Sequence, residues 1–200
     1  KALTSIDDKI IPLEFQSKAT SLNNIGLVYQ NLDNHKQAKN YFQEGLAQKN
    51  LIIEKPSLYA MLLDNLAYSK FKLKETEGLP ELFYKSLKIR DSLQLTTGIF
   101  LNKIHLSEYF ASRKDTTKAI KYSNEALSLS RNSKNFRNVL GALKQLSLIE
   151  PKKTSLYTKE YIHINDSLQK AERKMGDKFS RIEYETDEIK GENTDLVTQN

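Results

Sequence analysis

Four pairs of a large apolar residue followed by a small one, Ile25-Gly26, Leu66-Ala67, Leu106-Ser107 and Leu146-Ser147, recur at steps of 41, 40 and 40 residues. Spacing this even over most of a 200-residue chain marks stacked repeats, in which each unit buries its apolar face only against its neighbours. A second set keeps the same register: Ala38, Phe42 and Gly45 return as Leu79, Phe83 and Ser86, then as Ala119, Ser123 and Ala126. Intervals of four and three within each triplet are those of one helix face. Each repeat therefore reads as a helical hairpin with small residues where two backbones approach. Alternating runs and Asn-Gly turns are missing and the chain has only 7 Gly, so the expected class is all-α.

The unit is clearest from Ser21 to Leu46. Leu22, Ile25, Gly26 and Tyr29 form one face of a first helix, Asn31 to His35 a polar turn, and Ala38, Phe42 and Gly45 the facing side of a second. This stretch resembles the tetratricopeptide repeat (TPR), with Gly45 where that family prefers Ala. HEAT-type repeats have a similar length, but the Gly26, Ala38, Phe42 pattern favours TPR. The period exceeds the roughly 34 residues of a standard TPR, so longer helices or links are expected. The resemblance implies a right-handed superhelix of about four hairpins, with repeats near 19–58, 59–98, 99–138 and 139–168.

Local chemistry supplies further expectations. Asn34 and Asp115 precede second helices, where a short polar side chain can cap free amides, and Pro80 suits the first turn of another. Pro151 shortens the fourth connection, and HINDSL at 163–168 echoes KIRDSL at 88–93, which suggests a shared helix end and turn. Residues 1–18 carry a partial helical pattern of Ile6, Ile10 and Leu13 broken by Pro12, and read as an upstream helix or N-terminal cap.

From about Ser155 the chain reads as one long polar helix, of which residues 169–200 form a coiled-coil-like connector. Leu168, Met175, Ile182, Ile189 and Leu196 stand seven apart, a stripe that stays on one side only if the helix supercoils around a partner. The companion column of Glu172, Phe179, Thr186 and Asn193 is poor, and Gly176 and Gly191 each cost about 1 kcal/mol of helix stability. A marginal homodimeric coil is expected, with a helix folded back on the solenoid as the alternative. The segment QKAERKMGDKFSRIEYETDEIKGEN is similar to the end of the sensor portion of bacterial TPR-containing signalling proteins, those with histidine kinase or LuxR-type output. That resemblance implies a sensor module on the periplasmic face of a membrane-anchored protein, its anchor outside this sequence. A cytoplasmic TPR receptor for short peptides and a static assembly scaffold are the alternatives.

Composition narrows the chemistry. The net charge of +6 comes from 25 Lys and 6 Arg interspersed with acids along the chain, whereas nucleic-acid binders concentrate basic residues, with Arg for bidentate contacts. No nucleic acid is expected to bind this segment. Cysteine is absent, which removes disulfides and thiolate catalysis. His35, His105 and His163 share no metal-ligand spacing; His105 falls in a column with Asn24, Asn65 and Gln145, positions that suit hydrogen-bonded packing. Phosphate loops and nucleophile elbows are missing, so a non-catalytic module with no cofactor or metal is expected.

Recognition in a groove is the better prospect. The TPR resemblance places Asn23, Leu27, Gln30, Asp64, Tyr68, Phe71, Ile104, Glu108, Ala111, Lys144 and Leu148 on the concave face, facing a protein or peptide ligand, with Tyr68 and Phe71 as anchors. Asn23 and Asp64 stand where a carboxylate-clamp Lys would be needed, which argues against a peptide C-terminal carboxylate as ligand.

Overall fold

The computed structural model describes residues 18–198, with side chains up to Lys178 except at 177. The element expected over 1–18 lies outside the described residues except for Lys18. Nine α-helices are present among the described residues: α1 Lys18–Asn31, α2 His35–Leu46, α3 Leu51–Glu54, α4 Pro56–Lys72, α5 Glu81–Ser92, α6 Thr96–Ser112, α7 Thr116–Asn132, α8 Phe136–Ile149 and α9 Thr154–Thr198. No strand occurs among them. The architecture is all-α and TPR-like, with a long C-terminal helix.

The helices pair as four hairpins, α1/α2, α4/α5, α6/α7 and α8/α9, and each second helix of the first three also packs on the first helix of the next hairpin. Successive first helices touch one another as well, which puts α1, α4, α6 and α8 on the inner side of the stack. The surplus over a standard repeat goes into helices of 17 residues at α4, α6 and α7 and into the short α3 between the first two hairpins.

Register follows from packing. Ala67, Ser107 and Ser147 each lie eleven residues after the first residue of their helix. At Gly26 a Cβ would lie 2.4 Å from Cε1 of Phe42, so the absent side chain is what admits the ring. All three triplets are buried, with Phe42 and Phe83 at 0% exposure, although Leu79 stands one residue before the N-cap of α5 and so outside the helix on which it was expected; burial of an aromatic of this size stabilises by about 2 to 3 kcal/mol. At the third crossing Ser107 and Ser123 join hydroxyls at 2.7 Å.

The turns share one geometry. Two residues beyond α1, α4, α5, α6 and α7 the backbone turns left-handed, at Asp33, Lys74, Gln94, Lys114 and Lys134, with φ between 53° and 62°. In each case the next amide reaches back to the helix, as Asn34 N does to Tyr29 O at 2.8 Å and Asp115 N to Phe110 O at 2.9 Å. That is the Schellman closure, here without glycine.

Two expectations are corrected. Pro80 occupies the N-cap of α5, one residue before its first turn. HINDSL does not end a helix as KIRDSL does: α9 runs through it without interruption for 45 residues. After Leu93 the chain enters the left-handed Gln94, whereas after Leu168 the helix formers Gln169, Lys170, Ala171 and Glu172 follow.

α9 is fastened along α8. Tyr157 is buried in the same cluster as Val139, Leu143 and Leu146, with Tyr161 and Ile164 packed on it. Arg131 pairs with Glu160 and Arg137 with Glu172. The intervals of Tyr157, Tyr161, Ile164 and Leu168 form one apolar seam. Leu168 is half-buried and Met175 is 56% exposed, so the seam has left the solenoid surface by Met175. The side chains of Ile182, Ile189 and Leu196 lie outside the described residues.

Candidate functional site

The first helices carry a recess of about 620 Å³ between α4, α6 and α8. Of the residues expected on the concave face, Tyr68, Phe71, Ile104, Glu108, Ala111, Lys144 and Leu148 all line it. Tyr68 and Phe71 lie one and four residues after Ala67, Glu108 and Ala111 the same distances after Ser107, and helical periodicity therefore turns them to one side. The repeat register converts three separated stretches of sequence into one surface.

The recess is part apolar and part charged. Phe71, Ile104, Ala111 and Leu148 supply carbon surface, and Leu148 is 69% exposed. Tyr68 donates to Glu108 Oε2 at 3.3 Å. Burial first, then the charge and hydrogen bond of Glu108, push the Tyr68 phenol far above its ordinary value, so it remains a donor across the physiological range. Its ring stacks on His105 at 4.2 Å between centroids, and Lys72 Nζ lies 5.3 Å from the ring centre. Lys144 is exposed. An acid and two lysines thus frame an apolar floor.

Four expected groove residues are placed elsewhere. Asn23 is buried and accepts from Asn65 Nδ2 at 3.0 Å. Asp64 is 0% exposed: Arg90 Nη1 donates to its Oδ2 at 2.9 Å and His105 Nδ1 lies 3.1 Å from its Oδ1. Neither can meet a ligand, because partners from adjoining helices occupy them. Gln30 bridges to Asn65 O at 3.3 Å and Ser69 Oγ at 3.1 Å, tying α1 to α4. Leu27 borders a second recess, between α1, α4 and α6.

Lys72, Gly141 and Ile149, and Gln145, which was expected only in a packing role, line the recess as well. The signal for Lys72 was its place four residues after Tyr68. Gly141, Gln145 and Leu148 share one face of α8 with Lys144 by the same rule.

Among the described residues His105 has Asp64 as its one hydrogen-bond partner, and no nucleophilic hydroxyl reaches it. Gln145 of the same column donates to Ser107 Oγ at 3.2 Å, a cross-hairpin packing contact. No group of three or more His, Cys, Asp or Glu suited to a metal ion occurs among the described residues. None of their helices is long and apolar enough to cross a membrane.

The fold and its inner surface define a helical-hairpin solenoid built for recognition. Residues 19–49, which span α1 and α2, match the family model of the tetratricopeptide repeat. No curated protein matches the chain. TPR units are protein-interaction modules, and the match supports that class for this chain.

Proposed function

We propose that this chain is a non-catalytic peptide- or protein-binding module, and that it forms the sensor portion of a bacterial signal-transduction protein. The observation that carries the reading is the recess of about 620 Å³ between three first helices, with Phe71 and Leu148 on its floor and Glu108, Lys72 and Lys144 at its margin. Such a site suits a short segment with an apolar anchor and charges of both signs beside it. On this reading the partner bears on α8, and α9 carries the change outward, because the two helices are joined by buried apolar contact and by the Arg137–Glu172 ion pair, with Arg131 of α7 pairing to Glu160 beside them. Leu168, Met175, Ile182, Ile189 and Leu196 then pair with a second copy, and the module faces the periplasm of a membrane-anchored parent.

The test is selection of peptides on the purified chain, followed by titration against Phe71→Ala and Lys144→Glu. Binding should weaken at least tenfold in each variant with helix content unchanged. Equal affinity for all three proteins would sink the groove reading. For pairing, Ile182→Asp with Ile189→Asp should convert a dimer to a monomer in sedimentation, and an unchanged mass would remove the connector role.

A further inference from the structure

The second recess has a volume of about 560 Å³ and lies between α1, the first half of α4 and the start of α6. Leu27, Met61, Leu95 and Leu101 give it apolar walls, and no Asp or Glu among the described residues borders it. Its polar end is Arg90, only 3% exposed, in the last turn of α5. Every hydrogen bond of this guanidinium leaves from Nη1, to Asp64 Oδ2 at 2.9 Å, Gly98 O at 2.6 Å and Asn102 Oδ1 at 3.4 Å. Nε and Nη2 have no acceptor among the described residues. They are not sealed in, since the one enclosed side-chain polar atom without a partner among those residues is His35 Nδ1. Their opening is the recess.

The start of α6 adds to this end. A Cβ on Gly98 would lie 2.9 Å from Arg90 Nε, so the guanidinium sits beside the first turn of that helix. Side-chain oxygens of Asn34, Asp115 and Asn135 cap α2, α7 and α8, whereas α6 has Leu95 at the N-cap and no side-chain cap. The amides of Thr97 and Gly98 have no acceptor among the described residues. A helix N-terminus carries about half a positive charge, and it stands next to a guanidinium whose counter-charge among the described residues is Asp64. Asp91 is exposed and off the wall. The recess is therefore apolar along its sides and rich in donors, with an excess of positive charge, at one end.

We propose that this recess binds a small organic carboxylate, its apolar body between Leu27, Met61 and Leu101 and its carboxylate accepting from Arg90 and the first amides of α6. A guanidinium edge matches the two oxygens of a carboxylate, and recesses of about 300 to 1,000 Å³ take drug-sized ligands. The assignment does not depend on the peptide reading of the other recess.

The experiment titrates the whole chain with 4-phenylbutyrate and decanoate, and with 4-phenylbutanol and 4-phenylbutanamide as uncharged controls, by calorimetry and by amide NMR. The acids should bind at least tenfold tighter than the controls and move the Thr97 and Gly98 signals. Leu101→Trp, which fills the wall without touching the polar end, should weaken the acids at least tenfold. Arg90→Gln should abolish the acid preference; if that variant does not fold, Leu101→Trp and the amide shifts still decide. Equal affinity for acid and alcohol, or shifts confined to the Lys144 face, would overturn the proposal. So would peptides with a free C-terminus that bind more than tenfold tighter than the small acids while their amidated forms do not bind, since the carboxylate would then be a chain end.

Discussion

Arg90 Nη1 and Asp64 Oδ2 lie 2.9 Å apart, with the two side chains 3% and 0% exposed. The pair ties the last turn of α5 to the middle of α4, and Asn102 and Gly98 bring α6 to the same guanidinium. A buried charge that loses its partner costs about 3 to 5 kcal/mol, while replacing both members by apolar groups is often close to neutral. Arg90→Met should therefore destabilise the chain by about 3 to 5 kcal/mol in urea unfolding. Asp64→Leu with Arg90→Met should recover most of that loss. A loss below about 1 kcal/mol for the single variant would mean that Asp64 is hydrated rather than held by Arg90.

Gly26 against Phe42 supplies a steric test of the repeat register. Alanine is favoured over glycine in a helix by about 1 kcal/mol, but its Cβ would stand 2.4 Å from a fully buried ring. Overpacking of this kind costs about 1 to 3 kcal/mol, and a ring edge cannot swing aside as a flexible chain end can. Gly26→Ala should thus lower stability by up to about 2 kcal/mol net of its helix propensity. Phe42→Leu in the same chain should relieve part of the loss, a favourable coupling measurable in a double-mutant cycle.

How far the fold could be read in advance depended on whether each determinant lay in one stretch of chain. The hairpins were legible because Gly26, Ala67 and Ser107 are buried small residues repeated at a fixed interval, an interval that the half-buried Ser147 continues. Tyr68, Phe71, Glu108 and Lys144 were legible through the TPR resemblance, which assigns those positions to the inner face, with helix periodicity keeping them together. Asp64 was not, because its fate depends on Arg90, 26 residues later on another helix, and no spacing rule announces that partner. The long helix expected from about Ser155 is present as α9, whereas the end suggested by the likeness of HINDSL to KIRDSL is not, since the residues that decide the outcome are those that follow each motif. The left-handed turns were hidden too, with Lys, Asp and Gln standing where glycine would have signalled them.

Those turns yield a stabilising substitution. Lys114 and Lys134 adopt φ of 62° and 53°, a region that costs a residue with a Cβ about 1 to 2 kcal/mol and glycine almost nothing. Glycine returns some of this advantage by loosening the unfolded chain, by about 0.4 to 1 kcal/mol. Lys114→Gly and Lys134→Gly should each raise stability by about 0.5 kcal/mol, and their effects should add because they sit in different turns. The reading is an upward shift of the urea midpoint at constant slope. A downward shift would mean that these lysines make contacts worth more than the strain.

Where α9 leaves α8, Tyr157 donates to Glu150 Oε2 at 2.6 Å. Burial chiefly, with the hydrogen bond and charge of Glu150, pushes the Tyr157 phenol up to about 12. The hydrogen bond from Lys153, and then that from Tyr157, hold Glu150 below the usual carboxylate range. For the phenol the folded value lies above the unfolded value of about 10. Its contribution is therefore complete below pH 10, falls as the unfolded chain ionises first, and is lost by about pH 12. For Glu150 the sign is opposite: its contribution is present above the unfolded carboxylate value and lost as the pH falls through the lowered folded one. Tyr157→Phe cannot ionise, and the other raised tyrosines, Tyr68 and Tyr122, are common to both proteins and cancel in the difference. The advantage of the wild-type chain over Tyr157→Phe should be about 1 kcal/mol near pH 8 and should shrink steadily between pH 10 and pH 12. Urea unfolding of both proteins at pH 8, 10 and 11 measures it, and a difference that stays constant over that range would show that the phenol of Tyr157 is not the group that fastens α9.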